Sequence, residues 1–123
     1  MTNEELIQKA KSVATAKQVS KKTKVGNVGS ALITDSGNVF MGASIDAIAG
    51  LGFCGEASAI SAMLTAGESK IKIIVSVNDE GKIYSPCGRC REFIKQVNMD
   101  NVETDIILID KIMKLKDLLP EAY

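Results

Sequence analysis

Three cysteines, Cys54, Cys87 and Cys90, stand in a chain of 123 residues that contains no histidine. This combination narrows the possible folds and chemistries more than any other feature. It excludes Ser/His/Asp triads, Cys/His nucleophiles and zinc sites with a histidine ligand. An odd cysteine count also makes a disulfide framework a poor reading, and leaves metal binding or catalysis. Cys87 and Cys90 form the Cys-x-x-Cys of Pro86-Cys87-Gly88-Arg89-Cys90, and Cys54 opens Cys54-Gly55-Glu56. Taken alone, the pair is as readily a structural zinc clip or redox couple as part of a catalytic site. Cys54 adds a third thiolate, and three thiolates on one ion leave a tetrahedral position for water, as in a catalytic zinc site. Glu56 stands beside that position and can move protons without binding the metal.

Both segments follow loops and open helical patterns. A cysteine at a helix N-terminus lies at the positive end of the dipole, which favours the thiolate. From Cys54 to Ala66 the small residues Ala57, Ser58, Ala59 and Ala62 accompany Ile60, Met63 and Leu64, with Gly67 as terminator, a helix able to approach a sheet closely. Ser85-Pro86 leads into a second helix on which Cys90, Phe93, Ile94 and Val97 share a face. The spacing of Leu6, Ala10, Val13, Ala14 and Lys17 predicts a first helix over 4–19, capped by Thr2 or Asn3. Val25 to Ile33 and Asn38 to Ser44 are rich in small and β-branched residues and flank Asp35-Ser36-Gly37, which predicts a hairpin. Asp46 to Phe53 reads as a loop, Ile71 to Val77 and Thr104 to Ile109 as buried strands, and Leu115 to Leu119 as a short final helix. The order αββαβαβα implies one α/β domain over 1–123, a mixed sheet with helices on both faces.

Lysines and arginines (15) balance aspartates and glutamates (15), so no basic excess points to nucleic acid. The N-terminal stretch is polar and amphipathic, and no apolar run approaches a membrane span; a cytoplasmic protein without membrane contact is the expectation.

The pattern C-x-E followed by P-C-x-x-C resembles the zinc-dependent cytidine deaminase family, in particular its small members with three cysteine ligands. The likeness runs along most of the chain: Val28-Gly29-Ser30-Ala31-Leu32 is similar to the family's V-G-A-A-L, Ser85 to Arg91 to its S-P-C-G-x-C-R, and Leu118-Leu119-Pro120 with Tyr123 to its closing L-L-P and aromatic residue. Blasticidin S deaminase, a relative acting on a nucleoside antibiotic, looks similar over the same segments. The resemblance implies a three-layer αβα sandwich with a mixed five-stranded sheet, zinc on Cys54, Cys87 and Cys90, and hydrolytic attack at C4 of a cytosine-type nucleoside. Glu56 would protonate N3 and then deliver a proton to the departing ammonia. Backbone near Ala57 and Cys87 would orient water and ring. A small-molecule nucleoside substrate and a homotetramer whose neighbours share sites are implied as well. The alternatives are a deaminase of a related aminated nucleoside such as blasticidin S, or a zinc-binding protein of the same fold without turnover.

Several positions depart from the family pattern. Ser44 and Asp46 stand where N-x-E holds the ribose hydroxyls, and both are shorter; with Ala57 and Tyr123 they are the candidate substrate contacts. Gly26 stands where an aromatic residue usually packs on the base, which implies a wider pocket or another substrate. Ala57 replaces an arginine that offsets the charge of three thiolates. Arg89 or Arg91 is then the candidate donor to a cysteine sulfur.

Overall fold

The computed structural model describes residues 1–123. Helix α1 spans Asn3–Val13 and is followed by β1 (Lys17–Ser20), β2 (Thr23–Thr34) and β3 (Val39–Ala47). Helix α2 (Gly55–Thr65) leads to β4 (Ile71–Asn78) and the two-residue β5 (Ile83–Tyr84). Helix α3 (Gly88–Val97), a short 3-10 turn (Met99–Glu103), β6 (Asp105–Ile107), β7 (Ile112–Lys114) and α4 (Leu115–Leu118) complete the chain.

The hairpin forms where the pattern of small and β-branched residues predicts it. Gly37 adopts φ +88° and its N–H donates to the Thr34 carbonyl at 2.9 Å, turn chemistry that glycine allows without strain. β2 pairs with β3 along one edge and with β1 and then β4 along the other, all antiparallel; β4 pairs with β6 in parallel, and β6 with β7 antiparallel. The sheet is therefore mixed, as expected. It has seven strands rather than five: β3-β2-β4-β6-β7 make a continuous five-strand run, and β1 and β5 are short additions at its margins. No period-two pattern can develop over the two residues of β5 or the wholly exposed β1.

The first helix is shorter than its spacing suggests. It ends at Val13, and residues 17–20 extend to pair with β2, Lys17 opposite Val25. Helical propensity is weak through the β-branched residues near its end, and pairing with a strand wins.

Alternate residues of the central strands face two cores, the period-two signature of a sheet covered on both sides. Leu32, Ile74 and Ile106 pack under Ala59, Ile60 and Met63 of α2, Ile94 of α3 and Leu115 of α4. Their neighbours Ala31, Ile73, Val75 and Ile107 pack under Leu6 and Ala10 of α1. The result is the three-layer αβα sandwich. α2 lies close on the sheet: a Cβ at Gly42 of β3 would come 2.3 Å from the Ala59 nitrogen. That approach brings the start of α2 over the ends of β2 and β3, where the site lies.

Candidate active site

Cys54 and Cys87 are the N-caps of α2 and α3, each with extended backbone, and neither side chain is spent on a capping hydrogen bond. The two helix starts converge. Cys54 Sγ and Cys87 Sγ lie 3.7 Å apart, and all three cysteine sulfurs fall within 4.8 Å of one another. Two sulfurs bound to one tetrahedral zinc at ~2.3 Å would be roughly 3.8 Å apart, so the donor set fits zinc in both chemistry and spacing. Cys90, one turn into α3, is 1% exposed.

The three thiols differ electrostatically. Burial, and then the nearby Glu56 charge, pushes Cys90 far above the ordinary thiol range, and burial likewise raises Cys54. At Cys87 burial acts in the same direction, but hydrogen bonds from the Cys90 backbone, the Cys90 side chain and the Cys54 side chain outweigh it and hold that thiol below its ordinary value. A cation held by the three sulfurs would favour their deprotonation.

Glu56 sits in the first turn of α2, 4% exposed. It opens into a cavity of about 430 Å³ that also takes in Cys54, Cys87, Ser44, Asp46 and Arg89, a volume within the usual range for small-ligand sites. The structure thus brings most of the candidate residues together. Ala57 lies outside this cavity, on a second one of about 650 Å³ across Cys54, shared with Leu51, Phe53, Arg89 and Phe93. Tyr123 is 100% exposed, its backbone held at the far end of α3 by Lys95 and Glu92.

The two arginines part company. Arg91 donates to the Pro86 carbonyl at 2.7 Å, the Leu118 carbonyl at 3.0 Å and Ser85 Oγ at 2.8 Å, which ties α3 to the end of α4, with no bond to a cysteine sulfur. Arg89 is exposed at the boundary of the two cavities.

Among the cavity residues that were not candidates from the sequence are Asn27, Phe53, Tyr84 and Ser85. Phe53 is set by a two-bond bridge to Ile45, each N–H donating to the other's carbonyl at 2.9 Å, which closes the glycine-rich loop before Cys54. Tyr84 arrives on β5. An aromatic residue directly before a ligand cysteine was the only available signal for the first, and Tyr84 carried none. Gly26, read as leaving space beside the base, lies outside the cavity. Its φ is +85°, and a Cβ there would meet the Thr15 carbonyl oxygen at 2.1 Å, so the position is closed by backbone and not open.

Residues 1–105 match the family model described as the cytidine and deoxycytidylate deaminase zinc-binding region. Among similar proteins, a cytidine deaminase of Mycobacterium tuberculosis is 29% identical over 99 residues, 78% of this chain and 71% of the relative. A cytidine deaminase of Halalkalibacterium halodurans is 31% identical over 104 residues, 78% of this chain and 76% of the relative. A blasticidin-S deaminase of Bacillus cereus is 32% identical over 111 residues, 79% and 76% respectively. The crystal structure of the Mycobacterium tuberculosis cytidine deaminase superimposes with a TM-score of 0.84 at 26% identity, covering 100% of this chain and 98% of that one. That of the Burkholderia pseudomallei enzyme gives 0.80 at 28% identity, covering 100% of both.

Proposed function

This chain belongs to the cytidine and deoxycytidylate deaminase zinc-binding family, and from that membership we propose that it hydrolyses the exocyclic amino group of cytidine or deoxycytidine, releasing uridine or deoxyuridine and ammonia. In this reading Cys54, Cys87 and Cys90 hold zinc, and Glu56 is the catalytic acid and base. The observation that carries it is the meeting of three sulfurs within 4.8 Å with a carboxylate buried in the same cavity.

When bound, zinc supplies the Lewis acidity that makes water a competent nucleophile near neutral pH. Glu56 accepts the proton released as water attacks C4, passes it to N3, and then carries the proton of the newly formed C4 hydroxyl to the amino group, so that the C–N bond breaks as the C4 carbonyl forms. Its burial suits this task, because a carboxylate kept from bulk water delivers its proton to the substrate and not to solvent. Arg89, which lines the same cavity as Cys54 and Cys87, has in this reading the role of offsetting the net negative charge of three thiolates on a divalent ion. Arg91 acts on the site only by bracing the loop of Pro86 and Ser85.

The exposed apolar side chains Leu51 and Phe53 line the second cavity, which supports a homo-oligomer, a homotetramer by resemblance, covering that face. No helix is long and apolar enough to cross a membrane, and reduced metal-binding thiols fit a cytoplasmic enzyme of pyrimidine salvage. A second reading, deamination of an aminated nucleoside such as blasticidin S, draws on the Bacillus cereus relative and on Ser44, whose hydroxyl is engaged by the Val28 N–H at 2.9 Å.

Ammonia release from cytidine, deoxycytidine and blasticidin S by zinc-loaded protein tests the reading. Glu56→Gln is expected to lower kcat by roughly 10²–10⁴-fold while zinc content, read by atomic absorption, is kept. No ammonia from any of the three would leave a zinc-binding protein without turnover.

A further inference from the structure

Between Val25, opposite Ile45, and Gly29, opposite Ala43, the β2–β3 ladder is interrupted. Gly26, Asn27 and Val28 on β2 face the single residue Ser44 on β3. This bulge rests on Gly26, whose left-handed backbone lies against Thr15. It frees the Val28 N–H from the ladder, and Ser44 Oγ accepts it at 2.9 Å. It also turns the Asn27 side chain toward β3, where Nδ2 donates to Asp46 Oδ2 at 2.5 Å. The Asn27 carbonyl accepts the Asp79 N–H at 3.0 Å, so the residue is fixed at backbone and side chain alike.

The three serines of the cavity each make a hydrogen bond within the protein. Ser44 accepts from Val28, Ser76 donates to Ser30, and Ser85 accepts from Arg91. Asn27 and Asp46 keep free valence: the amide retains one N–H and its carbonyl oxygen, the carboxylate its second oxygen. Held together, they form a preorganised donor–acceptor pair, the complement of two adjacent hydroxyls.

We propose that Asn27 is a specificity-determining residue of the deaminase proposed above: its carboxamide holds the Asp46 carboxylate and, with it, receives the vicinal hydroxyls of the nucleoside sugar. Ser44 is a structural member of the bulge. The proposal rests on the deaminase reading and adds a residue to it.

The test compares cytidine with its dideoxy analogue, which lacks the hydroxyl pair, on wild-type zinc-loaded protein, Asn27→Ala and Asn27→Gln. Loss of a hydrogen-bonded pair predicts a KM for cytidine raised about tenfold in Asn27→Ala, with kcat within about twofold and the dideoxy analogue unaffected; Asn27→Gln recovers part of the loss. Equal changes for both nucleosides, or none for either, would overturn the proposal while leaving the deaminase reading intact. Wild-type protein that releases ammonia from neither nucleoside would remove both.

Discussion

An alanine at position 26 would have to adopt φ +85° and place its Cβ 2.1 Å from a backbone oxygen. Gly26→Ala is therefore expected to destabilise the fold by roughly 2–4 kcal/mol, a positive-φ penalty plus a backbone shift. A urea-denaturation midpoint indistinguishable from wild type would contradict the bulge geometry. Ser44→Ala leaves the half-buried Val28 N–H without its partner and should cost about 1–3 kcal/mol in the same measurement. At this scale the metal ligands and Glu56 were readable because their chemistry is unusual for any position. Asn27 was not readable: an asparagine after a glycine is ordinary turn material, and only the bulge aims it at Asp46.

Among the elements, α1 shows a local signal with a pH-dependent consequence. Thr2 Oγ1 accepts the Glu5 N–H at 3.1 Å, and Glu5 Oε1 accepts the Thr2 N–H at 3.3 Å, a capping box that marks the helix start in the sequence. Hydrogen bonds from the Thr2 backbone and then its side chain hold the Glu5 carboxyl below its ordinary value of 4.5. A carboxyl lowered in the folded state stabilises it above the unfolded value, and that contribution is lost as pH falls through the folded value. Thr2→Ala is expected to cost about 1 kcal/mol at neutral pH, and Glu5→Gln to flatten the acid limb of the stability profile below pH 4.5. Helix unfolding followed by circular dichroism from neutral to acid pH checks both. Signals of this kind marked the β2–β3 hairpin, α2 and α3. They failed at the end of α1 and at β5, where pairing with the strand adjacent in the chain decided the outcome.

For the molecule as a whole, the proposed metal ligands join two helices that already share a core with the sheet. Zinc is therefore expected to add stability to a fold whose core does not include the metal, with a gain that grows with free zinc concentration. Removing zinc with a chelator is expected to abolish ammonia release and lower Tm by several degrees while the far-ultraviolet dichroism of the folded state persists; complete unfolding on chelation would refute this. What the sequence by itself determined was the chemistry: three sulfurs, one carboxylate, no histidine, and a strand and helix order that admits one layered α/β domain. Those properties depend on residue type and short spacing, which a linear chain displays. The tertiary structure alone decided that two helix starts meet with sulfurs 3.7 Å apart, that Arg91 is spent on backbone carbonyls while Arg89 stays at the cavity rim, and that Asn27 reaches Asp46. Each of these requires backbone from separate segments to be packed to a fixed distance, and no local pattern encodes a distance between residues so far apart along the chain.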